Sequence, residues 1–238
     1  MSLPRPDRAA ASPGLGRAEA AEASLDPEPE LGWVDADVRS EFPELRLLWV
    51  EVAARPGPSP PAVRERLRTL SSRFRGAQAV TMRQDPLPAA YRIFYRHIGL
   101  DPDATRTPLE EAAVQRLLDG GFRSRNRLDD ALLISLTETG VPIWAADAER
   151  LDGPLGIRPA RPGELLGRGP QAQSLSVGRL VVADASGPVA VLFEAPAQGH
   201  GVDARTTRMA LFSVQVAGVP AIHVEEALWT CVNVLLPG

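Results

Sequence analysis

The sequence predicts an α+β domain, because helical patterns fill its middle and strand patterns dominate its last third. Between residues 61 and 140, apolar side chains recur at the spacing of amphipathic helices. After Gly140, short apolar runs alternate with Gly, Pro and Asp, as strands and their turns do. Helices and strands that are segregated along a chain indicate an α+β arrangement.

Two of the predicted helices carry an apolar stripe. The stripe of the helix over residues 61–75 consists of Val63, Leu67, Leu70 and Phe74. The stripe of the helix over residues 87–99 consists of Tyr91, Phe94, Tyr95 and Ile98. Both stripes are expected to face the core.

Capping patterns mark the start of two further helices. Thr107 and Glu110 have the spacing of a capping box, with Pro108 at the first helical position. Asn126, with Asp129 three residues later, has a similar arrangement. These helices are expected to end at Gly120 and Gly140, respectively.

Strand patterns occur on both sides of the helices. The run LRLLWVEVA at 45–53 is typical of a buried strand. Later strand candidates are residues 141–144, 179–184, 188–193 and 209–216. Residues 222–236 are predicted to form a closing helix.

The chain of 238 residues is long enough to bury a core without metal or disulfide support. Residues 1–32 are rich in Ala, Pro, Glu and Gly without apolar periodicity, so we expect a disordered tail followed by one domain over 33–238. The single cysteine, Cys231, excludes an internal disulfide and a multi-cysteine metal site. Neither a secretory signal nor a membrane-spanning run is recognisable, and no cofactor is implied, so a cytoplasmic protein is expected.

The charge distribution is uneven although the net charge is only −4. All 26 basic residues are Arg, and residues 39–127 hold sixteen of them against ten acids. The flanking parts of the chain are acidic. The surplus of Arg over acids in residues 39–127 permits contact with a phosphate backbone on one face. A solvated helical surface without such a partner would give the same pattern.

Motifs for catalysis are scarce. No phosphate-binding loop, dinucleotide fingerprint, nucleophile elbow or zinc-type histidine pair is present. His200 stands in a Gly-rich loop two residues after Gln198, and loops on a rigid scaffold often carry functional residues. Glu164 and Asp184 stand at Gly-containing turns, where turn chemistry alone explains an acid.

Residues 124–207 resemble the B3/B4 domain, the tRNA-editing part of the bacterial phenylalanyl-tRNA synthetase beta chain. The stretches that carry the resemblance are SRNRLDDALLISLTETGVPIWAAD at 124–147, GIRPARPGELL at 156–166, GRLVVADASGPVAVLF at 178–193 and VDARTTR at 202–208. Upstream, FPELRLLWVEVA at 42–53 is similar to the opening of free-standing members. The series spans roughly residues 40–236.

The resemblance implies a three-layer α+β fold with a β-sandwich core and N-terminal helices. It also implies a pocket that receives the 3′ end of a mischarged tRNA and hydrolyses its ester, which needs a positioned water, a proton acceptor and donors for the oxyanion. The synthetase's own catalytic and anticodon-reading modules are not matched, so aminoacylation by this chain is not expected.

Two positions depart from the synthetase pattern. A His is expected two residues after Pro142, where this chain has Trp144, and a Glu is expected at the position of Gln198. Neither Trp nor Gln serves as a base. His200 is the nearby group that titrates near neutral pH, and it is a candidate substitute.

Three functions therefore stand as hypotheses: trans-acting hydrolysis of mischarged aminoacyl-tRNA, tRNA binding without catalysis, and binding of an amino acid or other small molecule. Candidate catalytic residues are Gln198 and His200. Candidate pocket residues are Asn126, Trp144, Glu164, Asp184 and Thr206, although Trp144 is equally well explained as core. Candidate RNA-binding residues are Arg64, Arg68, Arg75, Arg123, Arg125 and Arg127. The expected partner is tRNA, and neither a membrane nor an obligate protein partner is indicated.

Overall fold

A computed structural model describes residues 28–74, 81–167 and 169–236. Its α-helices are α1 (Ala36–Glu41), α2 (Pro61–Arg73), α3 (Pro86–His97), α4 (Pro108–Asp119), α5 (Arg127–Thr139) and α6 (Ala221–Leu235). Its strands are β1 (Glu30–Leu31), β2 (Trp33–Val34), β3 (Arg46–Val52), β4 (Ile143–Asp147), β5 (Gly156–Pro159), β6 (Leu165–Leu166), β7 (Gln173–Ser174), β8 (Leu180–Ala183), β9 (Pro188–Val191) and β10 (Met209–Gln215). The predicted α+β class is confirmed.

Two four-stranded sheets form the centre of the fold. The first has the order β1-β3-β10-β4 and is antiparallel throughout. The second has the order β2-β5-β8-β9, with a parallel pair only between β2 and β5. Residues of both sheets belong to one apolar cluster, and α6 packs on β3 and β10 with α5 beside it. Helices, first sheet and second sheet therefore form three layers.

An aromatic group occupies the core beside α3. Phe193 contacts Tyr91, Tyr95 and Trp144, with ring centroids 6.0, 5.0 and 5.9 Å away, respectively. Phe193 has a φ of +68°, which is rare for a residue with a side chain. Because the surrounding rings enclose its side chain, their packing offsets the backbone strain.

The predicted capping box of α4 is confirmed and has a second role. Glu110 Oε2 accepts a hydrogen bond from the Thr107 N–H at 3.1 Å. Its other oxygen, Oε1, accepts one from Arg92 of α3 at 2.6 Å, and both side chains are buried. The cap of α4 is therefore also the ion pair that joins α4 to α3.

The domain begins earlier than the predicted boundary at residue 33. Glu30–Leu31 pairs with β3, and the Gly32 N–H donates to the Leu47 carbonyl at 2.9 Å. A strand of two residues is too short to show a period, which is why the sequence pattern misses it. Residues 1–27 of the predicted tail lie outside the described residues.

The β2–β5 pair requires glycine at position 156. A Cβ atom there would lie 2.0 Å from Cδ2 of Trp33. We expect Gly156→Ala to lower the free energy of unfolding by about 3 kcal/mol, because Trp33 must leave its place on β2. Gly57→Ala is the control, since no atom lies within 4 Å of its added Cβ. Urea unfolding of both variants measures this, and equal losses would contradict the assignment.

Candidate functional site

A cavity of about 460 Å³ lies between α4, α5 and the start of β4. We call it the interhelical cavity. Its apolar lining includes Leu132, Leu133, Leu136, Ile143 and Trp144. Its polar lining includes Glu111, Arg116, Asp119, Arg123, Arg125, Asp129 and Asp130. The volume is in the range of small-ligand sites, and the lining combines an apolar floor with a charged rim.

The loop 120–126 forms one wall of the interhelical cavity and is held by one buried carboxylate. Asp130 is 1% exposed. Its Oδ2 accepts hydrogen bonds from the hydroxyls of Ser59 at 2.6 Å and Ser124 at 2.5 Å. Its Oδ1 accepts one from the Arg125 N–H at 3.0 Å. Asp130 thus fixes the backbone that carries the arginines of the rim.

A second depression lies on the other side of the same loop. This groove has a volume of about 410 Å³ and is lined by Pro61, Arg64, Leu67, Arg68, Phe122 and Ser124. We call it the α2 groove. Phe122 also lines the interhelical cavity, so it separates the two depressions. The backbone N–H of Phe122 donates a hydrogen bond to the Ser71 hydroxyl at 2.9 Å, and this bond ties the loop to α2.

Four of the candidate RNA-binding arginines lie around this loop. Arg64 and Arg68 line the α2 groove, and Arg123 and Arg125 line the interhelical cavity. All four are exposed. The sequence pattern grouped them only by charge, whereas the fold brings α2 and the loop 120–126 together.

The two remaining candidate arginines are placed differently. Arg127 is half-buried, and its Nη1 donates to the Leu235 carbonyl at the end of α6 at 3.3 Å. A guanidinium at this position satisfies a terminal helix carbonyl, so the structure gives Arg127 a capping role. Arg75 lies outside the described residues.

Trp144 is at once a core residue and a wall of the interhelical cavity. Its ring stacks on Phe212, its cross-strand neighbour on β10, with centroids 6.0 Å apart. It also contacts Phe193 at 5.9 Å. Trp144 therefore belongs to the core and also lines the cavity, and its packing makes that wall rigid.

Asn126 begins α5. Its Oδ1 accepts a hydrogen bond from the Asp129 N–H at 2.9 Å, and its Nδ2 donates to Asp129 Oδ2 at 2.9 Å. Asn126 is absent from the lining of the interhelical cavity, but Asp129 lines it. The predicted pocket residue is thus the helix cap, and the carboxylate that it orients is the group at the cavity.

Glu164 is engaged in an ion pair. Its carboxylate accepts hydrogen bonds from both terminal nitrogens of Arg158, at 2.7 and 2.6 Å, and one from the Arg161 N–H at 2.7 Å. The Arg158 hydrogen bonds hold the pKa of Glu164 below its ordinary value against the opposing effect of burial. These bonds stabilise the turn before β6, and Glu164 lines neither depression.

Asp184 organises the turn between β8 and β9. Burial alone would raise its pKa, but hydrogen bonds from the N–H groups of Asp152, Ser186 and Gly187 outweigh that effect and lower the pKa. The Ser186 hydroxyl donates as well, at 2.8 Å. Asp184 therefore has the turn role that its sequence context allows.

Thr206 anchors the Gly-rich loop, which comprises residues 198–206. Its hydroxyl donates to Asp147 Oδ2 at 2.8 Å and accepts from the Asp203 N–H at 3.0 Å. Arg150 forms ion pairs with the carboxylates of Asp147 and Asp203. This network fastens residues 203–206 to the end of β4.

Gln198 and His200 are not brought to the interhelical cavity. Gln198 is exposed, whereas His200 is 4% exposed and its carbonyl accepts a hydrogen bond from the Asp147 N–H at 2.8 Å. Neither residue lines the interhelical cavity or the α2 groove. Trp144 therefore lines the interhelical cavity without Gln198 and His200.

Within the described residues, no group of three or more His, Cys, Asp or Glu side chains is placed to hold a metal ion. The same part of the chain contains no helix with the length and apolar character that crossing a membrane requires.

The Arg158–Glu164 pair predicts a pH-dependent stability. At pH 7 we expect Glu164→Gln to lower the free energy of unfolding by about 3 kcal/mol, because Arg158 is 7% exposed and loses its charged partner. Because the folded pKa is lowered, this contribution is complete above the ordinary Glu pKa of about 4.3 and is lost as the pH falls through the folded pKa.

Urea titrations from pH 7 to pH 2 measure this difference. The matched control is Glu194→Gln, whose partner Arg179 is 44% exposed, and we expect a loss of at most about 1 kcal/mol there. A pH-independent difference between wild type and Glu164→Gln would contradict the prediction.

Comparison with known proteins identifies the family of this fold. The family described as B3/4 domain matches residues 90–224, which is more than half of the chain. The chain is also similar to the phenylalanine–tRNA ligase beta subunit of Thiobacillus denitrificans, with 43% identity over 94 residues, 39% of this chain and 12% of that protein. The same subunit of Xanthomonas campestris pv. campestris is 38% identical over 113 residues, 46% of this chain and 13% of that protein.

The match thus covers about an eighth of the length of these curated relatives. The family match at residues 90–224 includes α5, β4 and the residues that line the interhelical cavity. The chain belongs to the B3/4 domain family.

Proposed function

We propose that this protein binds the aminoacylated 3′ end of a tRNA, with the aminoacyl group in the interhelical cavity and neighbouring phosphates along the α2 groove. The observation that carries the proposal is the loop 120–126, which borders an apolar cavity on one side and an arginine-lined groove on the other. The kinship with the tRNA ligase subunit supports tRNA as the nucleic acid.

The charges around the loop support contact with phosphate. Arg64, Arg68, Arg123 and Arg125 are exposed and surround it. Arg64 and Arg125 have no ion-pair partner among the described residues, so their guanidinium groups are available. The net charge of −4 opposes binding of nucleic acid elsewhere on the surface, which favours a single basic face.

Phe122 supports recognition of an unpaired end. It is half-buried and lines both depressions. Single-stranded RNA is commonly held by stacking of its bases on aromatic side chains, with arginines on the backbone. A tRNA ends in unpaired nucleotides, so Phe122 is positioned to separate the terminal residue from those before it.

Hydrolysis of a mischarged tRNA is a second candidate, and Asp129 is the observation in its favour. Ester hydrolysis needs a proton acceptor at the substrate. Gln198 and His200 do not line the cavity, whereas Asp129 does and is oriented by Asn126. Hydrolysis also needs a positioned water and donors for the oxyanion, which Asp129 alone does not supply. The cavity therefore supports binding more strongly than catalysis.

Binding of tRNA should depend on the arginines around the loop. We expect the double variants Arg64→Ala/Arg68→Ala and Arg123→Ala/Arg125→Ala to weaken tRNA binding and to reduce the slope of log K against log salt by up to about two each, because each lost phosphate contact removes about one unit. Filter binding or fluorescence anisotropy from 25 to 200 mM salt measures both quantities.

Arg205→Ala is the matched control, because Arg205 is 90% exposed and lies in the Gly-rich loop. Its effect should be small. No tRNA binding by the wild-type protein at the lowest salt, or an equal loss in the control, would overturn the proposal.

Deacylation assays separate the two candidates. We expect release of the amino acid from mischarged tRNA to be no faster with protein than in buffer. Release above buffer that Asp129→Asn abolishes and Gln198→Ala retains would establish hydrolysis at the interhelical cavity. Release that depends on Gln198 or His200 would contradict the geometric argument.

A further inference from the structure

Resting on the proposed function, we infer that the interhelical cavity binds aminoacyl ends whose α-amino group is free and charged, and that Asp129 recognises this ammonium. Ends with an acylated amino group are disfavoured. The substrate class is therefore a free aminoacyl-tRNA rather than a peptidyl-tRNA, and Asp129 is its specificity-determining residue.

The four carboxylates that line the interhelical cavity differ in their partners. Glu111 and Asp119 each pair with an arginine, at 3.4 and 3.7 Å, respectively. Asp129 and Asp130 form no ion pair within the part of the chain that the structure describes. Negative charge without a cationic partner therefore lies at the start of α5, where the ligand would supply the cation.

Asp129 is the more accessible of these two carboxylates. It is half-buried, whereas Asp130 is 1% exposed. Asp129 Oδ2 accepts a hydrogen bond from Asn126 Nδ2 at 2.9 Å, which orients the carboxylate. Its Oδ1 accepts no hydrogen bond from any described residue. One oxygen of an oriented carboxylate is thus open to a charged donor of the ligand.

The apolar floor lies one helical turn further along the same face of α5. Leu132, Leu133 and Leu136 follow Asp129 by three, four and seven residues, and all four line the cavity. One turn advances a helix by about 5.4 Å, which is comparable to the distance between the ammonium and the side chain of a large apolar amino acid. An aminoacyl group can therefore place its side chain on the floor and its ammonium at Asp129.

The arginines of the lining are engaged on α4 and the loop beside it. Arg116 Nε donates to the Ser71 carbonyl of α2 at 3.1 Å, and Arg123 pairs with a carboxylate of α4. Arg125 is exposed at the rim. None of these guanidinium groups lies within 4.0 Å of the Asp129 carboxylate. They face the side of the ligand that carries phosphates, and Asp129 is left for the ammonium.

The test uses the full chain and two stable ligands, in which adenosine carries phenylalanine or 3-phenylpropanoic acid through a 3′-amide. The second ligand lacks only the α-amino group, so its apolar surface is nearly the same. Since one charge-assisted hydrogen bond distinguishes the two, titration calorimetry should give binding about tenfold tighter for the phenylalanyl ligand. The N-acetylated phenylalanyl ligand should bind no more tightly than the 3-phenylpropanoyl ligand.

Two variants of the lining and one control locate the recognition. In Asp129→Asn, which keeps an oxygen for Asn126, the ratio of the two affinities should fall towards one. Asp119→Asn removes the same charge from a carboxylate that already pairs with Arg123, so the ratio should fall less. In Glu226→Gln, a position of α6 that is 62% exposed and outside the lining, the ratio should stay at the wild-type value.

Equal or weaker binding of the phenylalanyl ligand by the wild-type protein would overturn the inference, and so would an equal fall of the ratio in Asp129→Asn and Asp119→Asn. The same preparation is titrated with tRNA. If tRNA binds and the amino group makes no difference, or neither small ligand binds, the recognition of the ammonium fails while the binding of tRNA stands. If neither the ligands nor tRNA bind at low salt, both fail.

Discussion

The hydrogen bonds that Asp130 accepts are the constraint on which the site depends. Three donors from two parts of the chain converge on one buried carboxylate, and two of them belong to the loop 120–126. That loop is at once the wall of the interhelical cavity and the border of the α2 groove. A buried carboxylate that accepts three hydrogen bonds fixes the loop, so the rim arginines are presented on a rigid backbone.

Local rules explain what the sequence predicts well. The Thr107–Glu110 capping box, the Asn126 cap and the strand at 45–53 each depend on residues close together in the chain, and all are present. The sequence does not predict hydrogen bonds between residues that are far apart in the chain. Asp130 bonds to Ser59, 71 residues away, and no spacing rule contains that contact. The sequence contains one indication of this role. Asp129 and Asp130 follow each other after Asn126, and since Asp129 takes part in the cap, Asp130 is left for another partner.

The family resemblance predicted the α+β class, which the structure confirms. Of the candidate pocket residues, Glu164 and Asp184 accept hydrogen bonds within turns, and Thr206 fastens the Gly-rich loop to the end of β4. At the position where the resemblance to the synthetase pattern implies a His, Trp144 contributes an aromatic ring that packs on Phe212 and lines the interhelical cavity. Because this ring cannot carry a proton, it supports a binding site more strongly than a hydrolytic one.

Hydrogen exchange with and without tRNA reports where the nucleic acid lies without any substitution. We expect slower exchange in the loop 120–126 and along α2 when tRNA is bound, with the loop 198–206 unchanged. Protection confined to the loop 198–206, with the loop 120–126 unaffected, would contradict it.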